Sequence, residues 1–320
     1  MVDLIYTDPN GKERGTLAWA SGDFTVGTSN TFSLKVPADS GLEQDCYVMV
    51  EGTEFGGVVD GIDIDTTASY VTVTGRTWQG MLEKSIVVPD AGSDYYVASG
   101  DLNDAIGAIV ERQDLGDALM ADPRPCGVDA GGHRILDQDA YSAIRAMLRS
   151  KGMKLRIRYD GAERKAVLSA VARGEHVDDG VDGDRVAFRI SRTRPVNHLV
   201  GLGKGELRNR KKVHVYADAS GAVSTKQTLF GKRHKAEVYE LSSTEDDKLL
   251  DEVSEKLKEM QEDMASCSLK EADGAMYDID DIVGGKSTRH GVEAVTTISQ
   301  KIATVSRGRM VVETKTESEV

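Results

Sequence analysis

The sequence predicts an α+β fold that is mainly β, with an α/β unit inserted between two β-rich regions and a long helix in the C-terminal part. Over residues 1–90, apolar and polar side chains alternate with the period of two that is typical of half-buried strands. Over residues 91–180, two stretches carry apolar side chains at helical spacing, and a strand hairpin follows them. The chain has 320 residues, more than the roughly 250–300 over which one core grows, so we expect two or three domains.

The first β-rich region is predicted from its turns as well as from alternation. Asp-Pro-Asn-Gly at residues 8–11 is a turn sequence, because Pro fixes φ and Asn-Gly tolerates the left-handed conformation. Alternating runs at 32–36 and 70–73 predict strands, and Gly-Gly at 56–57 and Asp-Gly at 60–61 predict hairpin turns or bulges. A small antiparallel barrel or sandwich is the expected arrangement.

The inserted unit is predicted to contain two helices and one hairpin. Asp101 and Asp137 stand as acidic N-caps ahead of the apolar stripes, and Gly152 follows the second stripe, where a helix end favours a left-handed residue. Alternation from 153 to 171, interrupted by Asp-Gly at 160–161, predicts the hairpin.

In the C-terminal half, we expect a linker at residues 176–184 and a boundary at Pro195. The strongest predicted helix spans residues 243–264, where Ser243 and Asp246 resemble a capping pair. Its apolar stripe covers only two heptads, which favours a helix docked on a sheet over a free coiled coil. Strands are expected at residues 186–190, 198–202, 213–216, 277–283, 292–305 and 310–315.

Composition and charge exclude several classes of protein. The net charge of −13 disfavours general attraction to nucleic acid or to an anionic membrane. No uncharged apolar run approaches the roughly 20 residues of a membrane-spanning helix, and the first residues lack the order of a signal peptide. The three cysteines, Cys46, Cys126 and Cys267, are far apart, so we expect free thiols in a reducing compartment.

No motif predicts a catalytic, cofactor-binding or metal-binding residue. The histidines form no metal-binding spacing, although distant ones could still assemble a site; they are His133, His176, His198, His214, His234 and His290. Asp60, Asp63 and Asp65 lack the Gly and Glu of a calcium loop, which favours surface-facing strand acids. The glycines of residues 201–205 do not open a helix, which favours a flexible or close-packed connection over a phosphate loop.

Charge is divided between two neighbouring regions. Residues 201–240 hold 9 bases and 4 acids, whereas residues 243–264 hold 9 acids and 3 bases. The basic cluster could bind nucleic acid, but few aromatic residues accompany it. A solvated strand pair, or a basic surface that meets an acidic one on this chain or on a copy of it, is favoured.

One stretch resembles the strand-to-helix turn of phage tail-hub proteins. It reads YVTVTGRTWQGMLEK at residues 70–84 and IVVP at 86–89; Lys84 stands where Arg is commoner in those proteins. The expected roles are a sharp turn at Gly75 and a large buried anchor at Trp78. Met81 and Leu82 are expected to pack the short helix.

A second stretch resembles the C-terminal half of siphovirus tail proteins with a baseplate-hub fold. It comprises NHLVGLGKGELRNRKKVHVYAD at residues 197–218, AEVYELSS at 236–243 and YDIDDIVGG with its continuation at 277–316. Residues 277–283 are similar to the strand y-x-x-G-D-x-V of these proteins, with Asp280 where Gly is usual.

This resemblance implies a trimeric hub at the tail tip of a phage or prophage, in which two small antiparallel β-barrels per subunit form a pseudo-sixfold ring. The first barrel would comprise residues 1–90 plus about 185–200, the α/β insertion residues 91–180, and the second barrel residues 201–320 with helix 243–264. The implied partners are further copies of the chain and the neighbouring tail proteins, namely the distal tail or tube and the tip or fibre proteins. Genomic DNA would pass through the ring without specific binding. The protein would be made in the host cytoplasm and lie in the virion tail.

The resemblance also implies a structural protein that is not an enzyme, because the chain ends at Val320 without the C-terminal peptidase or lysin of longer relatives. Two alternatives remain open. A cell-wall hydrolase would need a cleft with two facing carboxylates about 5–9.5 Å apart. A nucleic-acid-binding module would use the basic cluster of residues 201–240. If the ring conducts DNA, we expect that cluster on a subunit interface or an outer surface, away from the channel.

Overall fold

The structure of the chain is a computed structural model, which describes residues 2–178, 187–192, 194–241, 248–262, 265–270, 277–287 and 292–316. These residues are mainly β, as the sequence predicts. No helix among them is both long and apolar enough to cross a membrane.

The strands and helices follow one another in the predicted order, β, α/β, β, helix, β. The strands are β1 (Leu4–Thr7), β2 (Glu13–Thr16), β3 (Ser21–Val26), β4 (Thr31–Pro37), β5 (Tyr47–Val50), β6 (Gly56–Asp63), β7 (Tyr70–Thr77), β8 (Ile86–Val87), β9 (Tyr96–Ala98), β10 (Leu119–Ala121), β11 (His133–Ile135), β12 (Gln138–Asp139), β13 (Met153–Asp160), β14 (Lys165–Ala172), β15 (Glu175–Asp178), β16 (Ala187–Arg192), β17 (His198–Leu202), β18 (Lys212–Ala217), β19 (Val223–Ser224), β20 (Ala236–Glu240), β21 (Ala265–Lys270), β22 (Ile282–Ser287), β23 (Val292–Ser306) and β24 (Arg309–Thr316). The helices are α1 (Trp78–Glu83), α2 (Leu102–Arg112), α3 (Ala140–Arg149) and α4 (Leu249–Glu262), with 3-10 turns at Leu207–Asn209 and Gly231–Arg233.

The chain divides into two compact units. The larger unit contains the described residues of 1–187, 269–293 and 297–316, and the smaller unit those of 188–268 and 294–296. The N-terminal strands and the α/β insertion therefore lie in one unit together with the C-terminal strands.

The largest sheet belongs to the larger unit and joins both ends of the chain. Its strands follow the order β15-β22-β23-β3-β4-β7-β6-β5-β1-β2, and β24 pairs with β23. The predicted turn at residues 8–11 connects β1 to β2, with the Asp8 carboxylate accepting backbone N–H groups of Asn10 and Lys12. The described strands do not form a closed barrel in this order, so the two-barrel arrangement stays a prediction.

Three glycines of the first β region, Gly56, Gly57 and Gly75, lie within strands and allow close packing. Gly56 and Gly57 lie in β6, where a Cβ on Gly57 would come within 1.9 Å of the Arg76 carbonyl oxygen. A Cβ on Gly75, in β7, would come within 2.0 Å of the Val58 carbonyl oxygen. The hairpin turns expected at 56–57 and the sharp turn expected at Gly75 are therefore wrong. At residues 60–61, where a turn or a bulge is expected, the register of β6 and β7 shifts between Val59 and Gly61.

The α/β insertion has the predicted two helices and hairpin. Asp101 caps α2 as expected, and its carboxylate also accepts the N–H groups of Cys126 and Gly127. The second helix begins two residues later than predicted, because Asp139 and not Asp137 is its N-cap. Gly152 is left-handed, with φ of 68°, as predicted.

One core joins this insertion to the N-terminal sheet. Trp78 is 1% exposed, as predicted, and its ring stacks on Tyr159 at a centroid distance of 6.0 Å. The ring of Tyr47, on β5, lies 5.7 Å from the same indole, centroid to centroid. Met81 and Leu82 are buried in the same core, as expected. The strand-to-helix stretch that resembles tail-hub proteins thus forms the link between the two parts of the larger unit.

The smaller unit contains a four-stranded sheet, β19-β18-β17-β20, with α4 docked on one face, and most of the two-stranded sheet β16-β21. A Cβ on Gly201 would lie 2.2 Å from a Val253 methyl group, so the glycine lets the helix approach the sheet. The docked helix and the close-packed connection at residues 201–205 are confirmed. The capping pair Ser243 and Asp246, and the predicted last residues 263–264, lie outside the described residues.

Candidate functional site: a buried charge cluster

The last segment of the second stretch, which starts at Tyr277, begins with a tight turn at Tyr277–Asp281. Strand β22 begins after this turn, at Ile282. The strand expected over 277–283 is therefore wrong in its first half. The turn is fastened to β23, because the Asp280 N–H donates to the Ile298 carbonyl oxygen and the Ile298 N–H donates to that of Asp281, each at 2.9 Å.

Asp280 is the residue that stands where the tail-hub pattern has Gly, and its backbone is left-handed, with φ of 75°. Gly adopts this conformation without the steric cost that other residues incur, and Asp is among those that tolerate it best. The carboxylate of Asp280 is 1% exposed and accepts hydrogen bonds from Arg145 Nη2 at 2.7 Å and from Arg149 Nε at 2.8 Å. Two arginines thus hold the side chain that Gly would lack.

These two arginines reach Asp280 together because they lie four residues apart on α3, on one face of the helix. The aspartate neutralises charge that α3 carries near its C-terminus. The turn is therefore attached to the α/β insertion by ion pairs and to β23 by backbone hydrogen bonds.

Asp281 is the centre of a second set of contacts. Its carboxylate accepts two hydrogen bonds from Lys154 Nζ of β13, at 2.7 and 2.8 Å. It also accepts the backbone N–H groups of Gly174 at 2.6 Å and Asp278 at 2.8 Å. Both Asp281 and Lys154 are buried, so each charge depends on the other for compensation.

Lys301, a residue of β23 that is 1% exposed, connects these contacts to Glu54. Its ammonium group forms an ion pair with the buried Glu54 and lies 3.7 Å from Asp278 Oδ1. Asp278 Oδ2 in turn lies 2.9 Å from Lys154 Nζ. We call the whole set the buried charge cluster; its members are Glu54, Arg145, Arg149, Lys154, Asp278, Asp280, Asp281 and Lys301.

In the buried charge cluster, carboxylates and basic side chains neutralise one another's charge. Burial raises the pKa of Asp278 and of Asp280, but the hydrogen bonds and positive charges of Lys154 and of Arg145 with Arg149 outweigh it and hold both values below the ordinary one. The carboxylates are thereby kept ionised and occupied. Such an arrangement fixes the backbone of the turn relative to α3 and β13.

The lowered pKa values predict a loss of stability in acid. A carboxyl group whose native pKa is depressed stabilises the fold above its unfolded pKa, near 3.8, and this contribution is lost as the pH falls through the native value. We expect the urea midpoint to fall between pH 5 and pH 3, and to fall less in an Asp280→Asn variant. A midpoint that is the same at both pH values, or an equal fall in the variant, would contradict this origin.

The sequence gives no spacing signal for the cluster, whose members come from five separate segments. It does single out other residues, and the structure places them as follows. Asp60 lies in β6 and pairs with Arg76 on the surface, in agreement with a surface-facing strand acid. Asp65 is exposed as well, but it lies beyond the end of β6 and its carboxylate accepts a hydrogen bond from the Thr67 hydroxyl. Cys46 and Cys126 are free thiols.

The structure brings together three of the six histidines. His198 lies between His214 and His234 and forms a ring-to-ring hydrogen bond with each. His133 and His176 lie elsewhere, and His290 is outside the described residues. This grouping was missed because it depends on strand pairing across 36 residues of sequence.

Several solved structures are similar to the chain over nearly its whole length. The tail protein from Neisseria meningitidis MC58 has 13% identity and a TM-score of 0.44, with 99% of this chain and 97% of that chain covered. The 43 kDa tail protein of prophage MuSo2 from Shewanella oneidensis has 13% identity and a TM-score of 0.46, with 99% and 98% covered. The prophage tail protein gp18 from Listeria monocytogenes EGD-e has 14% identity and a TM-score of 0.46, with 99% and 95% covered.

No protein-family model matches the chain, and no curated protein matches it. All three of these structures are of tail proteins, and two of them come from prophages.

Proposed function

We propose that this chain is a structural subunit of a phage or prophage tail, where three copies form the tail-tip hub ring. The ring would join the tail tube to the tip or adhesion apparatus and let DNA pass without specific binding. The chain would act by binding other proteins, and its partners would be further copies of the chain and the neighbouring tail proteins.

The observation that carries this proposal is the conformation of Asp280. The tail-hub pattern has Gly at this position, and the backbone there has φ of 75°, a conformation in which Gly is favoured. The Asp of the pattern, Asp281, binds the backbone N–H groups of Gly174 and Asp278 from inside the turn. A pattern taken from the sequence alone thus agrees with a specific and uncommon geometry.

The domain arrangement is part of the proposal. We infer a first barrel from residues 1–90 plus about 185–200, an insertion at 91–180, and a second barrel from 201–320 with the helix predicted at 243–264. The antiparallel strands β1 to β7 support the first module, and the four-stranded sheet with α4 supports the second module up to residue 262. Strands β23 and β24 instead belong to the largest sheet, where β23 pairs with β3.

A hydrolase is the second candidate, and no observation on the described residues favours it. A glycosidase of the usual kind needs one carboxylic acid with a raised pKa. Every carboxyl group of the described residues whose pKa is shifted is shifted downward, including Asp122, whose bidentate partner Arg124 lowers its pKa to about 2.

The oligomeric mass of the purified chain tests the proposal. We expect light scattering to give three times the 34.6 kDa of the chain at high protein concentration, because a threefold ring requires closed heterologous contacts. A stable dimer would contradict the threefold ring. A monomer would contradict self-assembly and would leave only assembly on the tail.

A further inference from the structure

Three histidines that are far apart in the sequence meet on the open face of the four-stranded sheet. His198 opens β17, His214 lies on the antiparallel β18, and His234 follows the turn Gly231–Arg233 ahead of the parallel β20. His198 Nδ1 is 2.8 Å from His234 Nε2, and His198 Nε2 is 2.9 Å from His214 Nδ1. The central ring therefore has both nitrogens directed at a neighbouring imidazole.

The central imidazole is sheltered, while the outer two are open to solvent. His198 is half-buried and stacks on Tyr216 at a centroid distance of 4.3 Å, whereas His214 and His234 are exposed. Burial, and then the charges that His214 and His234 can carry, lower the pKa of His198.

The spacing of the nitrogens is close to that of two ligands on one metal ion. Two imidazoles that bind a metal side by side, each at about 2.0–2.1 Å, have nitrogens about 2.8–3.4 Å apart. The two pairs at His198 already have this separation, and a tilt of the exposed outer ring would turn both lone pairs toward one point. No three metal-ligating side chains surround one point in the described part of the chain, so an ion would take two imidazoles and complete its shell with water.

We propose that His198, together with His214 or His234, binds one divalent transition-metal ion of the kind that prefers imidazole, namely Zn²⁺, Ni²⁺ or Cu²⁺. The half-buried ring is the shared ligand and the exposed rings are the adjustable ones. The bases Lys212, Arg233 and Lys235 nearby in the sequence oppose a cation, which limits the site to metals that bind nitrogen strongly. This inference does not depend on the tail function.

Calorimetric titration of the chelator-treated full chain with NiCl₂ and CuCl₂ at pH 7.5 tests the proposal. We expect one ion per chain, and affinity at least about tenfold weaker in His198→Ala, with circular dichroism showing that the variant is folded. The control is His133→Ala, which removes a histidine outside the group and is expected to bind like the wild type.

Electron paramagnetic resonance of the Cu²⁺ form provides the second readout. We expect hyperfine splitting from two nitrogen ligands, and the loss of this signal in His198→Ala. Wild-type binding that is no stronger than that of His198→Ala, or an equal loss in His133→Ala, would overturn the proposal.

Discussion

Replacing Asp281 by Ala is expected to lower the free energy of unfolding by about 3–5 kcal/mol, because it breaks a buried ion pair and leaves Lys154 with Asp278 as its remaining carboxylate partner. Lys154, with a side chain only 8% exposed, would lose its closest carboxylate. The N–H groups of Gly174 and Asp278 would lose their acceptor as well. Urea denaturation followed by circular dichroism measures the change.

Two further variants separate this effect from the general loss of a surface charge. Asp60→Ala removes an ion pair with Arg76 whose side chains are 40% and 38% exposed, and we expect it to cost less than about 1 kcal/mol. The double variant Lys154→Met/Asp281→Leu removes both buried charges and should recover part of the loss. Equal losses in Asp281→Ala and Asp60→Ala would show that the buried charge cluster has no special weight.

Replacing Trp78 by Ala is expected to cost about 3–5 kcal/mol, since it leaves a large cavity in the core that joins the N-terminal sheet to the α/β insertion. The indole contacts Tyr47 of β5 and Tyr159 of β13, so its loss removes contacts to both regions. The matched control is Trp19→Ala, at a residue that is 74% exposed. We expect that change to stay within about 0.5 kcal/mol, and similar losses in the two variants would contradict the anchor role.

Local signals were sufficient for most of the elements. Alternation gave β13 and β14 almost to the residue, and the acid at Asp101 marked the start of α2, because caps and strand periods depend on neighbouring residues. The start of α3 was placed two residues early, since Asp137 and Asp139 are both plausible acidic caps in sequence. The glycines at 56–57 predict hairpin turns or bulges, whereas in the structure they leave room for Trp78 and for β7, contacts that are visible only in three dimensions.

The candidate site and the histidine group could not be predicted for the same reason. Asp280 and Arg145 are separated by 135 residues, and no period or spacing connects them. The resemblance to tail-hub proteins did identify the segment 277–283 as significant, but it left the effect of losing the Gly open. In the structure, Asp280 keeps the left-handed backbone that Gly would adopt, and its carboxylate binds Arg145 and Arg149.

The central claim is that this chain forms a ring at the end of a phage tail. Cryo-electron microscopy of tails purified from the bacterium that makes the protein tests it most directly. The account predicts three copies of the chain around the tail axis, two small β modules from each lining the ring, and the basic cluster of residues 201–240 away from the channel. Tails that lack the chain, or that carry it without threefold order, would contradict the account.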